Sequence, residues 1–461
     1  MPSQVLARWN PEDPVFWEAE GRGIANRNLW ISIASLSLAF SVWMVWSVVV
    51  VNLPNAGFRF STEELFWLSA LPALCGATLR MFYSFMVPIF GGRRWTAAST
   101  ASLLLPTAGI GVALQDPTTS YSTFVILALL CGLGGGNFAS SMANINCFFP
   151  KVQKGTALGL NAGLGNLGVS LVQFVVPLVI TAGVFGALGG EPQIWTQGAE
   201  VKQIWLQNAG FIWVPFIAIL ALAAWFGMHD LATAKASLSG QAAIFKRRHS
   251  WIMCWLYLGS FGSFIGYSAG LPLLITSQFP QVNALSYAWL GPLVGALIRP
   301  LGGWLADKFG GARVTFWDFV VMAIGVLGVL VFLPHGGQGG NFYGFLAMFM
   351  LLFMTAGIGN GSTFRMIPVI FLDERQREAA GGGRAAEEQA VHDANTEAAA
   401  VLGFASAIGA CGGFFIPMSY GASISMTGNA EAALYGFMVF YLTCIVMTWW
   451  CYLRRDAEMP C

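Results

Sequence analysis

Arg80 and Arg299 are the residues best placed to do chemistry, because each lies deep inside a long apolar run. A guanidinium near the middle of a bilayer costs about 3 kcal/mol even on the lower scales, so each must face protein, water or a counter-charge. Carboxylates to pair with them are scarce. Only Asp318 and Glu397 fall within apolar spans, and both sit near a span end. Two buried cations without two matching carboxylates call for an anionic ligand. The choice of arginine narrows its shape, since a planar guanidinium donates two parallel hydrogen bonds and keeps its proton when desolvated. A small planar oxyanion fits: nitrate, nitrite, carbonate or a carboxylate. A phosphate or a sugar would recruit more polar and ionisable groups than these spans offer.

Aromatic and small residues accompany the arginines. Phe40, Phe138, Tyr257 and Phe261 fall inside apolar runs. The last two are four apart, hence on one helix face, and are expected to sandwich a flat anion, with the Tyr257 hydroxyl as donor. One glycine-rich run holds Gly159, Asn161, Gly163, Gly165, Asn166 and Gly168; a second holds Gly403, Ser406, Gly409 and Gly412. Small residues at three- and four-residue spacing let helix backbones approach closely. Asn166 and Ser406 add polar groups that packing alone does not require. Arg365 is expected to snorkel or pair with Asp318, with a gating role as the alternative. Gly266-Tyr267-Ser268-Ala269-Gly270 has the form of a nucleophile elbow, but it lies in a membrane span rather than a strand-to-helix turn, so no catalysis is expected. All four histidines (His229, His249, His335 and His392) read as loop residues.

These side chains need a membrane scaffold. Of 461 residues, 23 are Lys or Arg and 22 are Asp or Glu, while 56% are hydrophobic. That is too little charge to cover a soluble surface, and a net charge of +1 with high apolar content also excludes disorder. The apolar runs are long enough for helices rather than barrel strands. Hydropathy places spans near 29–51, 65–90, 95–114, 122–149, 155–181, 210–228, 251–274, 284–306, 312–333, 342–371, 396–420 and 432–453. Loops are expected to be short except 182–209, 229–250 and 372–395. Arg59 and Lys202 fall on one side, while the other loop and terminal Lys and Arg residues fall on the opposite side. The positive-inside rule therefore makes both termini cytoplasmic. The cysteines (Cys75, Cys131, Cys147, Cys254, Cys411, Cys444, Cys451 and Cys461) read as packing residues. No metal site, cofactor, nucleic-acid partner or cleavable signal peptide is expected.

The halves repeat. Gly76 to Arg80 matches Gly295 to Arg299, Gly132 to Gly136 matches Gly357 to Gly361, and Ala157 to Gly168 matches Val401 to Gly412. Three matches in consistent order indicate an all-α polytopic protein of two pseudo-symmetric six-helix bundles, the parallel-repeat transporter plan. The expected organisation is an N-terminal segment 1–28, a bundle 29–228, a linker 229–250, a second bundle 251–453 and a tail 454–461.

The stretch from Gly302 through Asp307 to Arg313 resembles the cytoplasmic loop signature of the major facilitator superfamily; its first-half equivalent, Gly91-Gly92-Arg93-Arg94, is degenerate and lacks the Asp. Along nearly its whole length the chain resembles the bacterial nitrate/nitrite porters of the NarK type. Arg80 to Trp95, Asn137 to Ile145 and the two glycine-rich runs carry that likeness. The resemblance implies that Arg80 and Arg299 clamp nitrate or nitrite, that Phe138 and Phe261 stack on the anion with Phe40 nearby, and that Asn166, Tyr257 and Ser406 make polar contacts, beside Gly403. It implies a monomeric multi-pass porter of the bacterial inner membrane whose bundles rock to expose the site alternately. Gly159, Gly163, Gly165, Gly409 and Gly412 would allow bending, and Asp307 and Arg313 would serve the gate; nothing is carried over to Arg365, whose gating role stays the alternative read from its position. Nitrate-for-nitrite antiport is the expected activity. The alternatives are nitrate/proton symport through Asp318 or Glu397, and an anion sensor that moves nothing.

Overall fold

The computed structural model describes residues 5–197, 200–232, 242–334 and 339–461; Lys235 and His335 lie outside them. Twelve helices among the described residues are long and apolar enough to cross a membrane. They are α1 Pro14–Asn52, α2 Thr62–Tyr83, α3 Gly92–Ala113, α4 Tyr121–Phe148, α5 Lys151–Val179 and α6 Asn208–Gly227, followed by α7 Arg248–Gln278, α8 Ala284–Phe309, α9 Gly311–Phe332, α10 Phe342–Ala379, α11 Ala386–Thr427 and α12 Glu431–Leu453. An even number of crossings puts both chain ends on one side, called here the terminus side.

Packing repeats between the halves. In the first, α1 packs on α5, α2 on α4 and α3 on α6; in the second, α7 packs on α11, α8 on α10 and α9 on α12. The halves meet where α2 touches α11 and α5 touches α8, contacts that a two-fold exchange of the halves interconverts, and where α1 meets α7 on the axis. The fold class expected from the repeat is the one observed.

Polar contacts between the halves cluster on the side away from the termini. The Ser69 hydroxyl donates to the Ala269 carbonyl at 2.5 Å, the Gln173 amide to Ser268 O at 2.7 Å, and the Ser170 hydroxyl to Trp289 O at 3.1 Å. Toward the terminus side, Gly163 on α5 is buried and Gly403 on α11 half-buried, yet a Cβ at either would meet nothing within 4 Å, so both border open space.

Several boundaries differ from the sequence reading. The expected loop 372–395 is helical on both flanks, with a turn at 380–383 that uses Gly381 and Gly383 at positive φ. Charged residues spaced i,i+4, Asp373 with Arg377 and Arg384 with Glu388, pair along the helices there. Such pairs let a helix continue past the membrane, where hydropathy no longer follows it. His249 is likewise no loop residue; it sits buried in the first turn of α7, its Nδ1 3.0 Å from the Tyr452 hydroxyl. His392 also falls within α11. At the other end, α1 begins at Pro14, where the Asp13 side chain caps it by accepting from Val15 N at 3.0 Å. The expected loop 182–209 contains an antiparallel hairpin, β2 Gln193–Gln197 with β3 Glu200–Ile204. Short strands β1 Val5–Leu6 and β4 Asp230–Leu231 pair in parallel and tie the N-terminal segment to the start of the linker.

Candidate anion-binding site

Arg80 is 1% exposed and Arg299 6%, so neither charge is relieved by bulk solvent. Arg80 projects from α2, where the bare backbones of Gly76 and Gly135 let α2 and α4 touch; a Cβ on Gly135 would fall 2.9 Å from Gly76 Cα. Its Nε donates to the Gly135 carbonyl at 2.8 Å and its Nη1 to the Ser406 carbonyl, across the bundle interface, at 2.9 Å. Four rings surround the guanidinium, with centroids 4.8 Å (Phe138), 5.0 Å (Trp43), 5.1 Å (Phe261) and 5.7 Å (Phe40) from Cζ. Ring faces attract a cation without giving its N–H groups an acceptor. Nη2 has no hydrogen-bond partner among the described residues.

Arg299, on the equivalent helix of the other bundle, is held more loosely. Its Nη2 donates to the Tyr257 hydroxyl at 3.1 Å, and Phe364 lies 5.3 Å from its Cζ. Its Nη1 also lacks an acceptor among the described residues. Arg80 lies within electrostatic reach of Arg299. The cluster thus pairs two like charges, each with one N–H-bearing nitrogen left over. That is a set of donors suited to an oxyanion.

The aromatic residues do come together, but not as a slot. Phe40 stacks on Phe138 (centroids 6.1 Å apart), Phe138 on Phe261 (6.3 Å) and Phe261 on Tyr257 (5.3 Å). Two faces holding a planar anion between them need about 7 Å, twice a van der Waals contact. Tyr257 and Phe261 therefore cannot sandwich an anion, as their spacing suggested: neighbours one turn apart on one helix stack on each other. What Tyr257 offers is its hydroxyl, which accepts from Arg299 and keeps a proton to donate.

The remaining expected residues divide. Asn166 is buried with its Oδ1 unbonded among the described residues. The Ser406 hydroxyl is turned back onto Gly403 O at 2.8 Å, so its carbonyl is the group that meets Arg80. Gly165, Gly409 and Gly412 are places of close approach: a Cβ on Gly409 would fall 2.9 Å from the Tyr257 ring, and one on Gly412 would collide with Gly262. At Gly159, Gly163 and Gly403 a Cβ would meet nothing within 4 Å, so these glycines border open space instead of packing.

Arg365 pairs with Asp307 and not with Asp318, and both partners are about half exposed. Its helix position explains this: Phe364 turns inward to Arg299 while the next residue faces out. Arg313 is exposed in the first turn of α9. Glu397 is held by Arg375 and by Arg247, the latter at 3.5 Å.

Two site residues escaped the sequence reading. Trp43 follows Phe40 by three positions, and that spacing was the available signal; its Nε1 donates to Pro72 O at 2.8 Å. Phe364 carried none beyond its neighbour. The Asp missing from the first-half loop signature is supplied from the linker. Asp230 accepts from the Arg93 backbone N–H at 2.8 Å and stands 3.3 Å from Arg93 Nε, at the start of α3.

Residues 31–385 match the family model of the Major Facilitator Superfamily. The chain is 53% identical to the nitrate/nitrite transporter NarU of Escherichia coli (strain K12), over 98% of this chain and 96% of the relative. The chain belongs to the NarK-type porters of the major facilitator superfamily. A second relative of this NarK-type porter is the probable nitrate/nitrite antiporter NarK2 of Thermus thermophilus, 42% identical over 99% of this chain and 98% of the relative. Among solved structures, a D-xylose-proton symporter superposes with TM-score 0.64 at 15% identity, covering 94% of this chain and 98% of that one. The nucleoside transporter NupG gives 0.61 at 12% identity, covering 92% and 98%. At such identity these two likenesses concern the fold of the NarK-type porter alone.

Proposed function

We propose that this protein is a secondary transporter that exchanges nitrate and nitrite across the bacterial inner membrane by alternating access, with Arg80 and Arg299 clamping the anion. The carrying observation is that each buried guanidinium keeps one nitrogen without an acceptor among the described residues, Nη2 of Arg80 and Nη1 of Arg299. A planar oxyanion between them accepts from both and neutralises part of a paired positive charge. The names of the relatives fit that ligand. Asn166 and the Tyr257 hydroxyl complete the polar contacts. The bundles 29–228 and 251–453 rock as units about the axis between α1 and α7, with 229–250 linking them and both termini cytoplasmic, and the protein works as a monomer.

Antiport follows from the charges. Moving the site between states without an anion would carry two desolvated guanidiniums whose partners are carbonyl and hydroxyl dipoles and rings, not counter-charges. Exchange avoids that state. Nitrate/proton symport is the second reading, and its one favouring observation is the buried Asp318; Glu397 is already bound in ion pairs. Nitrate uptake into proteoliposomes separates them. Exchange requires nitrite or nitrate inside and ignores a pH gradient, whereas uptake into anion-free vesicles driven by outside acid would overturn it.

A further inference from the structure

Each bundle carries a polar seam behind the clamp, and only one seam holds an acid. The repeat pairs Gly310-Gly311 at the start of α9 with Gly91-Gly92 at the start of α3, so Asp318 stands where α3 has Ser99. Around Ser99 the first bundle offers neutral groups, among them Ser35, Thr100 and Asn137, lining a cavity with about 10 Å³ for a water's centre. The second bundle fills the equivalent place with a carboxyl group.

Asp318 is 5% exposed, and its Oδ2 has no hydrogen-bond partner among the described residues. It packs on the bare face of Gly359, where a Cβ would also fall 2.9 Å from Ser260 Cβ. The neighbouring Phe319 ring lies 2.7 Å from where a Cβ on Gly259 would stand. Gly259 and Ser260 belong to a π-helical turn, Leu258–Gly262, that interrupts α7. Such turns recur at functional sites and shift the side chains around them. On the front of this one, Tyr257 meets Arg299 at 3.1 Å and Phe261 faces Arg80 at 5.1 Å. On its back, Ser260 Oγ lies 3.3 Å from Thr363 Oγ1, beside Asp318. An ionised carboxylate without a cation or a donor is costly in such a place, whereas a neutral acid brings its own donor.

We propose that Asp318 is carried as the neutral acid and is a positioning residue for Tyr257 and Phe261, bracing the π turn of α7 from behind. The inference rests on the transport reading above, because the clamp it positions is the one assigned there. The test compares the purified full-length protein with Asp318→Asn and Asp318→Ala. The infrared carbonyl stretch of a protonated carboxylic acid is expected at neutral pH in the wild type and missing from Asp318→Asn. Asparagine keeps the shape and a donor, so its nitrate Kd is expected within about twofold of wild type, while alanine raises it roughly tenfold. Absence of the acid band, an Asn variant as impaired as the Ala variant, or an Ala variant that binds like wild type would each overturn the proposal. If the Ala variant does not fold, the infrared band and the Asn variant decide. A wild type that neither binds nor exchanges nitrate sinks the transport reading instead, and the infrared band still reports the proton on Asp318.

Discussion

Arg80 of the first bundle reaches across the interface, and its Nη1 donates to the main-chain carbonyl of Ser406 on α11 at 2.9 Å. Together with the bond to Gly135 and four flanking rings, this makes Arg80 a structural strut as well as the anion contact proposed above. Among the described residues Arg299 has one hydrogen bond, to Tyr257, and one nearby ring. The two arginines should therefore differ in what they do for stability. Arg80→Lys leaves two buried carbonyls without their donor and is expected to cost about 2 kcal/mol, whereas Arg299→Lys costs less than about 1 kcal/mol. Thermal unfolding of the purified variants without added anion measures the difference.

Tyr257→Phe removes one hydroxyl and no packing. Its ring keeps the stack on Phe261, so the packing contribution to stability should hold. Arg299 loses its one hydrogen-bond partner among the described residues, and the anion loses one donor. Loss of one net hydrogen bond corresponds to about 1 kcal/mol, so nitrate Kd should rise roughly fivefold in equilibrium titration.

The glycines of α5 and α11 make separable predictions. Gly409→Ala drives a methyl into the Tyr257 and Phe261 rings. Overpacking of this kind costs about 1–3 kcal/mol, and here it also displaces the clamp, so both the melting temperature and nitrate affinity should fall. Gly159→Ala meets open space. That change should be neutral or stabilise by up to about 1 kcal/mol through the unfolded chain.

The contrast between these glycines marks how far the sequence was legible. The repeat of Gly76 to Arg80 in Gly295 to Arg299 pointed to two bundles with equivalent helices and to the arginines, because a charge in an apolar span has few physical excuses. Which glycine packs and which borders open space depends on the facing helix, and periodicity is silent about that. The same holds for Ser406, whose hydroxyl was the visible group although its carbonyl makes the contact. Arg365 and Asp318 shared a plausible depth, yet a rotation of one residue along α10 sends Arg365 outward to Asp307. The helical extensions of α10 and α11 escaped because hydropathy tracks lipid contact, not helicity.

Outside the membrane, His229 at the start of the linker gives a pH signature. Burial first, and then Arg27 and Arg93, hold its imidazole below the ordinary range, with Asp230 opposing them. The unfolded chain thus binds a proton at a pH where the folded protein does not, so stability falls as pH drops through about 6.5 and toward the lower folded value. His229→Gln should flatten that part of the profile in melting temperature measured from neutral to mildly acid pH.

On the proposed reading, two buried guanidiniums hold one planar anion between them. Nitrate titration of the purified protein tests it most directly, comparing wild type with Arg80→Lys, Arg299→Lys and the double variant. Truncating one side of a buried, charge-assisted contact costs about 2–5 kcal/mol, so each single variant should weaken nitrate binding at least about thirtyfold. The double variant should show no saturable binding. A folded double variant that binds nitrate with wild-type affinity would contradict the account.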